Sequence, residues 1–250
     1  MSLPRFFIPP ESWNSEALML DGDEAHHCSA VMRCGAGDHI IVFNGAGSHA
    51  EALIVSGTVK RVELTCLKLH EESPPAVSIT LLQAIPKGAN MELIVEKAVE
   101  LGVNEIIPVM TERTVVRLNA KEALKKQEKW QRIALAACKQ CGQNWLPRVQ
   151  VPQSFSTVWS ALPSHDLRLV AALQEDAQPL KAILSNNLKS ALILIGPEGD
   201  LSVEEYSTAR RHGCLPMTLG PVVLRVETAA LYCLSVLGHE LRLDSNGKRR

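Results

Sequence analysis

The chain has 250 residues, 46% of them hydrophobic and 21% charged, with a formal net charge of −1, which supports one large or two modest soluble domains with real cores. No apolar run approaches the roughly 18 residues that would cross a bilayer, and the start MSLPRFFIPPESW has prolines and no long apolar stretch, which excludes a secretory signal and points to the cytoplasm. Seven cysteines, an odd number scattered from Cys28 to Cys233, argue for reduced thiols and against a disulfide framework.

The first 70 residues read as mostly β. The runs HIIVFN, HAEALIVSG and VKRVELTCLKL are separated by turn signals, Asn44-Gly45 among them. One helix is expected over DEAHHCSAVMR, with an aspartate as N-cap and Gly35 past its end. The expected product is a small antiparallel barrel or sandwich spanning residues 1–73, followed by the linker Glu71-Glu72-Ser73-Pro74-Pro75. Residues 1–74 hold 5 Lys/Arg against 10 Asp/Glu, and residues 75–152 hold 11 against 7. A phosphate-binding surface would therefore draw on the middle of the chain.

Over residues 74–250 strands and helices alternate. VSITLLQA reads as a strand, and NMELIVEKAVELG as an amphipathic helix with Met91, Ile94, Val95, Ala98 and Leu101 on one face. EIIPV is a strand, and the segment around KKQEKWQRIALAACKQ is a long basic helix. Strands LRLVAAL, SALILIG and CLPMTLG follow, with a last helix from about Glu227 to Leu241. This alternation predicts an α/β layer structure with a mostly parallel sheet. Ligands of such folds bind outside the carboxyl ends of the strands, which groups the loops after Leu173, Ile195 and Leu219.

Two motifs carry little. Gly45-Ala46-Gly47-Ser48-His49-Ala50 matches the dinucleotide fingerprint, but another strand follows it where a phosphate-binding helix should begin. A hairpin turn is expected there, and a nicotinamide-dependent oxidoreductase loses its support. Cys138-Lys-Gln-Cys141 lacks a second ligand pair, so no metal is expected and both thiols read as buried small hydrophobes. His26-His27 point different ways around a helix and read as capping or surface groups.

The stretch LIGPEGDLSVEE is more informative. A buried run ends in Gly196-Pro197-Glu198-Gly199, and Ser202 with Glu205 forms a capping box that starts a helix. A second loop of the same kind, LGPVVLRVETA, follows the next strand. Two Gly-Pro loops at one sheet edge would expose backbone donors and acceptors that can read an adenine-like ring.

These two loops resemble those of the RsmE-type ribosomal RNA uridine-N3 methyltransferases of the SPOUT superfamily. The resemblance extends over nearly the whole chain, through Arg5-Phe6-Phe7-Ile8, His26-His27 to Arg33, Ile85-Pro86-Lys87-Gly88 to Val103, and Gln140-Cys141-Gly142. It implies a PUA-like β-barrel that binds RNA, followed by an α/β methyltransferase domain with a trefoil knot. It also implies S-adenosylmethionine as cofactor, held by Leu173, Gly196, Pro197, Gly199, Leu219, Gly220, Leu224, Thr228 and Ala229. The implied substrate is a uridine of 16S ribosomal RNA in the small ribosomal subunit. Glu198 or Glu227 could take the N3 proton, or Arg225 could stabilise the uracil anion. Arg5, Arg33, Lys87, Arg113 and Arg117 are candidate phosphate contacts. The family usually has glycine where Asp200 stands, arginine at Val222 and Gln143, and threonine at Val226. Those departures motivate the rival expectation, a catalytically weak or inactive RNA-binding or ribosome-assembly protein. The last helix is apolar around more of its circumference than one sheet needs, so a homodimer through the α/β domain is expected.

Overall fold

A computed structural model describes residues 3–185 and 187–242. The chain forms two compact units, one of Met1–Pro74 with Cys138–Leu146, the other of Pro75–Ala137 with Pro147–Arg250.

The first unit holds strands β1 (Arg5–Phe7), β2 (Met19–Asp21), β3 (His39–Phe43), β4 (Ser48–Gly57) and β5 (Arg61–Glu71) in the order β1-β3-β4-β5-β2. All pairs are antiparallel except β1 with β3. The sheet is mixed because β1 joins the edge of β3 from outside the hairpin run. Phe6, Leu20, Ile40, Val42, Ala50, Ala52 and Ile54 are buried between the sheet and its short helix. Residues 44–48 connect β3 to its antiparallel neighbour β4, with Gly45 and Gly47 at φ of 70° and 97°, so the fingerprint-like motif is a hairpin connection.

The helix expected over residues 23–33 is shorter. An α-helix, α1 (Gly22–His26), passes into one π-helical turn, His27–Val31. The Ser29 hydroxyl in that turn donates to the Ala25 carbonyl four residues back, at 2.7 Å. Asp21 holds the cap position without a side-chain cap, and the segment ends on Arg33 at φ 57°.

Residues 138–146 are the unexpected part of this unit. Trp145 bridges Ala46, and Leu146 donates its N–H to the Gly45 carbonyl at 2.9 Å. Gly47 is required here, since a Cβ on it would lie 2.6 Å from both the Glu72 carbonyl oxygen and the Trp145 ring. Asn144, 4% exposed, uses its whole amide. Its Nδ2 donates to Glu72 Oε1 at 2.8 Å and to His49 Nδ1 at 3.0 Å, and its Oδ1 accepts from Arg5 Nη2 at 2.5 Å. Lys139 pairs with Glu24, whose second oxygen accepts the Phe7 N–H at 3.0 Å.

The second unit is a wholly parallel sheet of β6 (Ser78–Ala84), β7 (Glu105–Met110), β8 (Arg148–Val149), β9 (Gln153–Ser154), β10 (Leu167–Ala171), β11 (Ser190–Ile195) and β12 (Leu215–Met217). The main path runs β12-β10-β11-β6-β7-β8, with β9 also on β7. The central strands β6 and β11 are nearly continuous apolar runs because both faces are covered. Burying each leucine or isoleucine there contributes about 2 kcal/mol. The helices are α2 (Asn90–Glu100), α3 (Ala120–Cys141), α4 (Phe155–Val158), α5 (Leu180–Ile183), α6 (Val203–Arg211) and α7 (Val226–Arg242). Helix α2 buries Met91, Ile94, Val95 and Ala98, as its spacing predicts.

Asn144→Ala should leave the Arg5 and His49 partners unmatched and lower stability by about 2 kcal/mol, read as an earlier urea midpoint. Burial also depresses the basicity of His49 below its ordinary 6.5, so the unfolded chain binds the proton first. Stability should be whole above that value and fall as pH drops through it, and His49→Gln should flatten the dependence.

Candidate active site

Strand β10 lies between β12 and β11, and all three run in one direction, so their carboxyl ends share one edge. The loops that leave those ends enclose a cavity of about 460 Å³, with Asn90 at the start of α2 completing its wall. Of the residues expected at a cofactor site, Leu173, Gly196, Pro197, Leu219, Leu224 and Ala229 line this cavity. Gly199, Gly220 and Thr228 do not line it, although they lie in the same loops. Glu198, Arg225 and Glu227 line it as well.

The loop after β11 is tied on several sides. The Glu198 carboxylate accepts the Lys87 backbone N–H at 2.9 Å, and Lys87 follows β6, the strand next to β11. A carboxylate stands between the glycines because it ties these neighbouring loops together. Asp200 N–H donates to the Pro197 carbonyl at 2.9 Å and closes a turn. Helix α6 then begins on the expected box: Ser202 Oγ accepts the Glu205 N–H at 3.4 Å, and Glu205 Oε2 accepts the Ser202 N–H at 3.0 Å. The other Glu205 oxygen accepts the Glu112 N–H at 2.8 Å, so this buried carboxylate holds the loop after β7 too.

Glycine plays different parts at the two positions singled out in the sequence. Gly220 has φ 103°, with open space where a Cβ would stand, so its constraint is dihedral. Gly199 has an ordinary φ, and a Cβ there would meet Arg113 at 3.4 Å. The left-handed residue of that loop is Asp200, at φ 62°, where glycine is the usual occupant.

Arg225 is exposed, and its guanidinium has no partner among the described residues. Glu227 accepts a hydrogen bond from Asn90 Nδ2 at 3.3 Å. Sequence reasoning missed Asn90, although its place directly after Lys87-Gly88-Ala89 was a usable signal. Three of the five cations expected at phosphates make hydrogen bonds within the chain, Arg113 and Arg117 from exposed positions. Arg5 donates to Asn144 and stacks over Phe43 at 5.0 Å, and burial lowers its basicity. Arg113 Nη1 donates to the Gly199 carbonyl at 2.7 Å, and Arg117 donates to the carbonyls of Thr111 and Glu112. These hydrogen bonds give Arg5, Arg113 and Arg117 partners within the protein that the sequence did not show. Arg33 and Lys87 are exposed. Cys141 is exposed, against expectation, while Cys138 is buried. Among the described residues no cluster of three His, Cys, Asp or Glu could hold a metal, and no helix is long and apolar enough to cross a membrane.

A family model described as an RNA methyltransferase domain matches residues 72–238, well over half of the chain. This chain belongs to the RNA methyltransferase family. An RNA methyltransferase PUA domain model matches residues 20–65, inside the first unit. A relative from Bacillus subtilis, ribosomal RNA small subunit methyltransferase E, is 34% identical over 96% of this chain and 98% of its own length. The solved ribosomal RNA small subunit methyltransferase E from Neisseria gonorrhoeae, bound to S-adenosyl methionine, is 29% identical. It has a TM-score of 0.84 over 94% of this chain and 97% of that one. A methyltransferase from Legionella pneumophila with bound SAM reaches 0.85 at 32% identity, covering 95% and 97%. In this RNA methyltransferase the cavity is thus built by the two Gly-Pro loops and the loop after β10.

Because Gly220 is constrained by its dihedral and Gly199 is not, Gly220→Ala should lower stability by about 1 kcal/mol or more. Gly199→Ala should cost less than half of that. Paired thermal melts measure both.

Proposed function

We propose that the chain is an S-adenosylmethionine-dependent methyltransferase that modifies N3 of a uridine in the 16S ribosomal RNA of the small subunit. The observation that carries this reading is the cavity of about 460 Å³ at the carboxyl ends of β12, β10 and β11, in a chain of the RNA methyltransferase family. Its volume suits a nucleoside-sized ligand. Ile195, Leu224, Val226 and Ala229 give apolar walls for an adenine ring, and Gly196 and Leu219 bring backbone groups to its edge. Leu173 and Pro197 complete the grip, while Gly199, Gly220 and Thr228 belong to the loops behind it.

When bound, S-adenosylmethionine supplies an electrophilic methyl group on a sulfonium. Uracil N3 carries a proton and is a poor nucleophile until it is lost. In this reading Arg225, which lines the cavity and has no side-chain partner among the described residues, stabilises the uracil anion. Glu198 and Glu227 each have one oxygen held by a hydrogen bond, from Lys87 N–H and Asn90 respectively. The other oxygen of each is left to accept the N3 proton. The residues that line the cavity would supply the largest share of the rate by holding the uracil beside the bound cofactor.

Arg33 and Lys87 are the phosphate contacts in this reading, and the trefoil knot and a cytoplasmic location go with it. So does a homodimer. Helix α7 is covered by α2, β6 and β11 over much of its apolar face, which removes part of the sequence argument for a partner. What supports the dimer now is Tyr232 on α7, 46% exposed, with Leu173, Val222 and Val223 exposed at the cavity.

Calorimetry should detect S-adenosylmethionine binding that a chelator leaves unchanged. Arg225→Ala should keep that binding and lose about 100-fold in kcat. Mapping 3-methyluridine in small-subunit RNA, with and without the gene, tests the substrate; cofactor binding without any methyl transfer would favour the inactive RNA-binding protein. Tyr232→Asp should yield monomers by light scattering, and a fully active wild-type monomer at assay concentration would refute the dimer.

A further inference from the structure

Asp200 is one of three non-glycine residues with positive φ among the described residues, with Arg33 and Asn187. It alone of the three lines the cavity. Aspartate tolerates the left-handed region better than most residues because its short carboxylate can bond locally. Here one oxygen does so twice. Asp200 Oδ1 accepts the Leu201 N–H at 2.8 Å and the Tyr206 hydroxyl at 2.8 Å.

Tyr206 is a rigid donor. Its ring is 4% exposed and packs in the core cluster with Leu82, Val109, Phe155 and Leu201. It sits one residue past Glu205, in the first turn of a helix whose start is locked by a two-way capping box. Burial, and then the Asp200 carboxylate, push the hydroxyl well above the ordinary tyrosine range, so it keeps its proton at working pH. Tyr206 itself does not line the cavity.

The consequence reaches the cavity wall through one contact. A Cβ built on Gly196 would stand 3.5 Å from Asp200 Oδ1 and 3.3 Å from Leu201 Cγ. The carboxylate thus stands on the side of Gly196 where a side chain would project, and Gly196 forms part of the wall. Core ring, hydroxyl and carboxylate form one chain of contacts that ends beside Gly196, and the turn there is closed by Asp200 N–H on the Pro197 carbonyl.

We propose that Tyr206 and Asp200 are a positioning pair: the hydroxyl fixes the left-handed carboxylate, and the carboxylate fixes the Gly196 wall against which S-adenosylmethionine binds. This rests on the cofactor reading above. The pair acts before the chemical step, so its loss weakens cofactor binding and leaves the saturated rate in place. It acts by position and not by charge, so an amide that keeps the acceptor oxygen suffices.

Calorimetry with S-adenosylmethionine on the wild type and on Tyr206→Phe, Asp200→Gly, Asp200→Asn and the Tyr206→Phe/Asp200→Gly double variant tests this, with steady-state kinetics alongside. Asp200→Gly relaxes the dihedral and keeps the fold, so lost affinity there reports the missing carboxylate. Tyr206→Phe and Asp200→Gly should each weaken binding about tenfold, raising the cofactor KM with kcat nearly unchanged. Asp200→Asn should stay within about twofold, and the double variant should be no weaker than Asp200→Gly, since both remove one interaction. Wild-type affinity in Tyr206→Phe, additive losses in the double variant, or Asp200→Asn as weak as Asp200→Gly would each overturn the pair while leaving the cofactor reading intact. A wild type that binds no S-adenosylmethionine would overturn that reading and this assignment with it.

Discussion

The parallel pairing of β12, β10, β11 and β6 is the constraint on which the rest of the second unit depends. Parallel neighbours must be connected by crossovers, and all their carboxyl ends then open on one edge. Four stretches far apart in sequence, around residues 86–90, 173, 196–200 and 219–229, are thereby delivered to adjacent places. The runs of β6 and β11 are buried on both faces, so slipping the register by a residue would disturb a packed core on each side. That rigidity lets irregular loops hold a shaped cavity.

The loops are stabilised differently from the sheet. Their backbones cannot use a ladder, so side chains supply the missing partners. Glu198 takes the Lys87 N–H, Glu205 takes those of Ser202 and Glu112, the Arg113 guanidinium donates to a carbonyl of the loop after β11, and Arg117 donates to carbonyls of its own loop. Charged side chains that look like ligand contacts in a list of residues are here largely cross-links. Among the described residues at the cavity, Arg225 and one oxygen on each of Glu198, Asp200 and Glu227 have no such task.

The first unit depends on a similar device. Its hairpin between β3 and β4 approaches residues 144–146 so closely that only glycine fits at position 47. Asn144 collects Arg5, His49 and Glu72 around one buried amide. A polar hub whose buried amide bonds on both its nitrogen and its oxygen is specific, because a shift of the segment would leave that amide and its partners unpaired.

The amino-acid sequence by itself determined what depends on near neighbours. Period-two and continuous apolar runs marked the strands, 3.6-residue spacing marked α2, and Ser202-x-x-Glu205 marked the start of α6. The alternation of strand and helix declared a parallel sheet, and with it the shared edge where the three loops meet. Tertiary structure alone decided the partners of polar groups. Arg5 reads as a free cation and is engaged by Asn144, 139 residues away. Glu198 reads as a lone carboxylate and holds the Lys87 backbone, 111 residues away. The sequence placed the loop's special dihedral on its glycines, whereas the left-handed residue is Asp200, held by Tyr206. Hydrophobic pattern is periodic along the chain and can be read locally, whereas a hydrogen bond needs a matched donor and acceptor within about 3 Å, and folding alone brings distant residues that close.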